Sequence, residues 1–135
     1  MNEDTILIVD DSYDWRKTLF GMLSDEGFVV VLAESALDAL GILNSRSIDI
    51  VILDIRMDDS DAENMDGLLL AAEIQNKWPS IKVVILTAYG TVETVRVAFK
   101  KYKVTDYIQK NETEKLVDVL RQLSYKKKNK SPKKV

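Results

Sequence analysis

The chain has 135 residues, 46% hydrophobic and 30% charged, a composition that fits one ordinary globular domain. It contains no Cys and no His, which excludes disulfides, thiolate or imidazole metal sites, cysteine nucleophiles, Ser-His catalysis and phosphohistidine chemistry on this chain. All 22 acids and 13 of the 19 bases fall in residues 1–123, so a body of net charge −9 is followed by a +6 segment over 124–135.

In chain order, an apolar run over 5–9 leads into a segment of helical period over 13–26. Its residues Trp15, Leu19, Met22 and Leu23 share a face behind an N-cap at Ser12. A second run, 28–32, precedes 35–44, capped by Ser35, and a third, 49–53, precedes 67–78. The fourth run, 81–86, leads to 91–102, where Thr91 caps and Val92, Val95, Ala98 and Phe99 form the apolar face. The weaker fifth run, 106–108, leads to 112–123, with Leu116, Val119, Leu120 and Leu123 on one face. Asn111 and Glu114 there form a variant capping box. The runs are rich in Val and Ile and scarcely alternate, which marks strands covered on both faces. Five strand-then-helix units predict one open, doubly wound α/β fold with a parallel sheet and helices on both faces. Ligands in such a fold collect outside the carboxyl ends of the strands. No apolar run reaches the roughly 18 residues of a membrane span, and the opening MNEDTILIVD lacks a signal-peptide pattern, so a cytoplasmic location is expected.

The strand ends carry Asp10 and Asp11 after the first run, Asp54 after the third, Thr87 after the fourth and Lys110 just past the fifth. Taken singly, each has an ordinary explanation: a turn or cap aspartate, a structural threonine, a solvated lysine. Together they form an organised set. Three carboxylates within about 5 Å of one another would repel by roughly 3 kcal/mol per pair at an effective dielectric near 20. Lys110 alone cannot neutralise them, and all-oxygen ligands suit Mg²⁺.

In their settings ILIVDD, IVILDIRM, MDG, VILTAYG and DYIQK, these residues closely resemble the receiver domain of two-component response regulators, over residues 5 to about 123. The resemblance implies a flavodoxin-like (βα)5 fold with strand order 2-1-3-4-5 and a receiver domain over 1–123, and the low-complexity basic composition of 124–135 reads as a disordered tail. It further implies that Asp54 accepts a phosphoryl group from the phosphohistidine of a sensor histidine kinase or phosphotransfer protein. Asp10, Asp11, Asp54 and the backbone carbonyl of Arg56 would hold Mg²⁺, with Mn²⁺ as a substitute. Lys110 and the Thr87 hydroxyl would each meet a phosphoryl oxygen once phosphate arrives. As Thr87 moves, Tyr107 would turn inward and alter the surface of the fourth helix, fifth strand and fifth helix. Such a chain is a phosphoacceptor signalling domain, not a general enzyme. It addresses a downstream output protein or domain and can form a homodimer through its fourth and fifth helices. Nucleic acid enters only as a weak partner of the basic tail.

The sequence departs from the family pattern twice. Asn111 stands where the family commonly has a proline, and a cis bond before a non-proline costs about 2.5 to 4 kcal/mol, so either strain is kept or the loop differs. The stretch 58–64 is about five residues longer than usual and carries four acids. It reads as a surface loop, or as a device that raises local cation concentration and tunes partner choice and phosphoryl lifetime. Arg56 and Tyr89 flank the water path beside it. These departures motivate an alternative, a pseudo-receiver that binds partners without phosphorylation. A dehalogenase-type hydrolase would need a second Asp where Arg56 stands. A flavodoxin would need a Ser/Thr-rich phosphate loop, and a nucleotide switch a glycine-rich one.

Overall fold

Val, Ile and Leu fill the short strands because both faces of the sheet are covered by helices. In the computed structural model, which describes residues 4–55, 66–88 and 91–124, the order is β1 (Thr5–Val9), α1 (Tyr13–Asp25), β2 (Val29–Ala33), α2 (Ala36–Ser45), β3 (Ile50–Leu53), α3 (Asp66–Lys77), β4 (Lys82–Thr87), α4 (Val92–Lys100) and β5 (Asp106–Gln109). A 3-10 helix (Lys110–Lys115) and α5 (Leu116–Leu123) follow. All four strand pairings are parallel and the sheet order is β2-β1-β3-β4-β5, the flavodoxin-like arrangement. The chain reverses direction across the sheet between β1 and β3, which opens a crevice at their carboxyl ends.

Strand residues divide alternately between two cores. Leu7, Val9, Val51, Leu53, Val83 and Ile85 pack on one face with Ala39, Leu43, Leu68, Ala71, Ile74 and Ala98 from α2, α3 and α4. Ile6, Ile8, Ile50, Ile52, Val84, Leu86 and Ile108 pack on the other with Leu19 and Leu23 of α1 and Leu116 and Leu120 of α5. The apolar faces expected for α1 and α5 therefore point as the pattern requires.

Four local expectations are corrected. β2 is an edge strand, so Val30, Val31 and Leu32 are only half-buried and Val29 is exposed. Phe99 is 40% exposed and lies off the buried face of α4, which is anchored by Ala98. The α-helix expected from residue 112 begins at Leu116, because Glu112 takes a non-helical backbone (φ −125°, ψ 35°) inside the 3-10 turn. Asn111 consequently does not stand at the N-cap of α5, and neither Gln109 nor Lys115 makes a side-chain cap hydrogen bond at the two helix starts. The caps at Ser12, Ser35 and Thr91 all form, and Thr91 makes a reciprocal capping box with Thr94.

Candidate functional site

The crevice is built by backbone pairing that continues past the strands. The Asp10 amide donates to the Ala33 carbonyl at 3.2 Å and the Asp54 amide to the Val9 carbonyl at 3.3 Å, which fixes both acids at the sheet's carboxyl edge. Asp10, Asp54, Thr87 and Lys110 are all buried there. Lys110 Nζ lies 2.8 Å from Asp10 Oδ2 and 2.9 Å from Asp54 Oδ2. Thr87 Oγ1 donates to the other oxygen of Asp54, Oδ1, at 2.6 Å. The Ser12 amide donates to Asp10 Oδ1 at 2.9 Å. Four of the residues read from the strand ends thus meet through contacts of 3 Å or less.

Burial pushes the Asp10 carboxyl above the usual carboxylate range, with Lys110 and the Ser12 amide opposing and Asp54 assisting. For Lys110, burial works against the charge, but its bonds to Asp10 and Asp54 prevail and raise it above the ordinary lysine range. The ammonium is held charged between two acids.

Asp11 is half-buried beside this set, and its Oδ1 is buried without accepting a hydrogen bond, although the residue is engaged elsewhere. Among the described residues no three acidic side chains converge as a ligand set, and the ammonium of Lys110 joins Asp10 to Asp54. The donor chemistry nevertheless fits a hard divalent cation: oxygen donors only, and one more carboxylate charge than Lys110 offsets even before Asp11 is counted. Arg56, Tyr89 and the acidic stretch 58–64 lie outside the described residues. Tyr107 is half-buried on β5, with its hydroxyl 3.4 Å from Thr94 Oγ1 of α4. Burial raises its phenol above the ordinary range.

Two further findings concern the loop after β5 and Thr87. The described residues contain no cis peptide, so Lys110 reaches both acids through a trans bond to Asn111. Thr87 faces Asp54, its hydroxyl on the carboxylate oxygen that Lys110 does not hold.

Sequence reasoning missed two contributors. A Cβ on Gly67 would stand 1.7 Å from the Asp54 carbonyl oxygen, so only glycine lets α3 approach the acid's backbone. The Gly67 amide also donates to the Ile55 carbonyl at 2.8 Å. Its place in the MDG motif was the available signal. Trp15 lies with its ring 4.7 Å from Lys110 Nζ, and its helical spacing disguised it as a core residue.

Comparison with known proteins places these features in context. The response regulator receiver domain model matches residues 6–121. The transcriptional regulatory protein GlrR of Escherichia coli K12 is 45% identical over 87 residues, covering 64% of this chain and 18% of GlrR. A putative NtrX-like response regulator of Rickettsia bellii is 38% identical over 117 residues, covering 86% of this chain and 24% of that protein. The chain therefore spans about a quarter or less of these relatives. Among solved structures, the receiver domain of NtrX from Brucella abortus superposes with a TM-score of 0.77 at 34% identity, covering 87% of this chain and 96% of that one. The signal receiver domain of an HD domain-containing protein from Pseudomonas fluorescens Pf-5 gives 0.80 at 27% identity, with 91% and 88% covered.

Proposed function

The chain belongs to the response regulator receiver family, and on that premise we propose that Asp54 is a phosphoacceptor that takes a phosphoryl group from a histidine kinase or phosphotransfer protein. The observation that carries this reading is the division of labour around Asp54: Lys110 on one carboxylate oxygen, Thr87 on the other. In the transfer, a carboxylate oxygen of Asp54 attacks phosphorus. The phosphorus–nitrogen bond of the donor imidazole breaks, and the imidazole leaves with its bonding pair and is protonated. Charge then sits on the phosphoryl oxygens, where the Lys110 ammonium and the Thr87 hydroxyl can follow it without entering from solvent. Asp10, Asp11 and Asp54, with the Arg56 carbonyl, would hold Mg²⁺ or Mn²⁺, which supplies further neutralisation of those oxygens when bound. Movement of Thr87 toward the phosphoryl group would alter the packing of Tyr107 and its tie to Thr94. That would change the α4–β5–α5 surface offered to an output domain or a second copy.

The test is intact mass after incubation with Mg²⁺ and a small acyl phosphate or phosphoramidate. Wild type should gain one phosphoryl group, and Asp54→Asn or a chelator should abolish the gain. Equal gain in Asp54→Asn overturns the assignment. A second reading, a module that binds its partner unphosphorylated, draws on the Asp10–Lys110–Asp54 set being closed by its own lysine. It predicts that partner binding survives Asp54→Ala. No helix among the described residues is long and apolar enough to cross a membrane.

A further inference from the structure

Lys110 has three ammonium protons to place. Two directions are taken by Asp10 Oδ2 at 2.8 Å and Asp54 Oδ2 at 2.9 Å. A third contact is the ring of Trp15, with its centroid 4.7 Å from Nζ. The negative face of an indole attracts a cation, most strongly where water is excluded, and Lys110 is only 9% exposed. Trp15 is itself locked by local chemistry. Its amide donates to Ser12 Oγ at 3.3 Å, and the Ser12 amide donates to Asp10 Oδ1 at 2.9 Å. The contacts close into a circuit: Asp10 to Ser12, Ser12 to Trp15, Trp15 to Lys110, and Lys110 back to Asp10. The cap that starts α1 therefore also sets the ring over the lysine.

We propose that Trp15 is a positioning residue for Lys110, its ring holding the ammonium against the two carboxylates and so setting the rate of phosphoryl transfer to Asp54. This rests on Asp54 being the acceptor. The stretch after Lys110 is a 3-10 turn with a non-helical residue at Glu112, so rigidity of the lysine comes from what its amine touches more than from a continuous helix behind it.

The experiment compares wild type, Trp15→Phe and Trp15→Leu in the full chain by two readouts. The first is the proton chemical shift of the Lys110 ε-methylene, assigned by its loss in Lys110→Gln. A ring above the amine moves this resonance away from the ordinary lysine position. Trp15→Leu should return it there, and Trp15→Phe should keep part of the displacement. The second is the rate of phosphoryl gain from a small phosphodonor with Mg²⁺. It should fall about tenfold in Trp15→Leu, between the scales of an exposed and a fully desolvated cation–π contact, and by much less in Trp15→Phe, which keeps a π face. Leucine retains apolar bulk, so equal rates in the two variants, or a Lys110 resonance unmoved by Trp15→Leu, overturn the proposal and leave Trp15 as core filler. A wild type that takes no phosphoryl group overturns the acceptor assignment instead, and the resonance readout still decides whether Trp15 holds the lysine.

Discussion

Lys110 offsets two buried carboxylates with one ammonium, and removing that ammonium strands both. Lys110→Met is expected to lower stability by about 3 kcal/mol at neutral pH in metal-free buffer, read by urea unfolding. Because the folded lysine titrates above its ordinary value of 10.5, its stabilisation is complete below that pH and is lost as pH rises through the raised value. The gap between wild type and Lys110→Met should accordingly narrow in alkaline solution. A gap that stays constant there would refute the assignment. Asp10 has the same sign at the acid end. Its folded value lies above 3.8, so its contribution favours folding below that pH and declines as pH rises. Asp10→Asn should therefore unfold at higher urea than wild type at pH 7, with the advantage closing toward pH 4, since asparagine keeps an acceptor for the Ser12 amide. Gly67→Ala presents a different problem, because the added carbon meets backbone at Asp54 and Ile55 that cannot swing aside. A loss of about 3 kcal/mol or more is expected in thermal unfolding, together with slower phosphoryl gain.

At the scale of elements, helix starts written in Ser and Thr were legible because a cap needs only its own next three residues. Ser12, Ser35 and Thr91 all cap as read. The start of α5 was not legible, since the apolar spacing of Leu116, Leu120 and Leu123 fits a helix begun at either point. What breaks it is the backbone at Glu112, two residues past a lysine committed to the crevice. The fourth helix couples a local cap to a distant strand: Thr94 completes the capping box with Thr91 and its hydroxyl reaches Tyr107. Thr94→Ala is expected to cost about 1 kcal/mol and to raise amide exchange in α4 about fivefold. Unchanged exchange there would separate the cap from the Tyr107 contact.

For the whole molecule, one sheet shared by two cores predicts a single cooperative unfolding transition. Ser124 is buried and its amide donates to the Arg121 carbonyl, so it packs with α5 despite opening the segment that composition sets apart. A chain ending at Ser124 should melt within about 4 °C of the full chain, a shift worth roughly 1 kcal/mol. A larger drop would show that the basic stretch stabilises the acidic body. The sequence by itself determined the alternation of five strands and five helices and the identity of the residues at the strand ends. Hydrophobic period and chain order are local properties, and strand ends point the same way once the strands are parallel. Only the tertiary structure decided which of those residues touch. Lys110 meets Asp54 across 56 positions of sequence, and Gly67 and Trp15 matter through distances to partners that no local pattern encodes. Those distances follow from the order β2-β1-β3-β4-β5 and from close packing, which a one-dimensional pattern of polar and apolar residues does not carry.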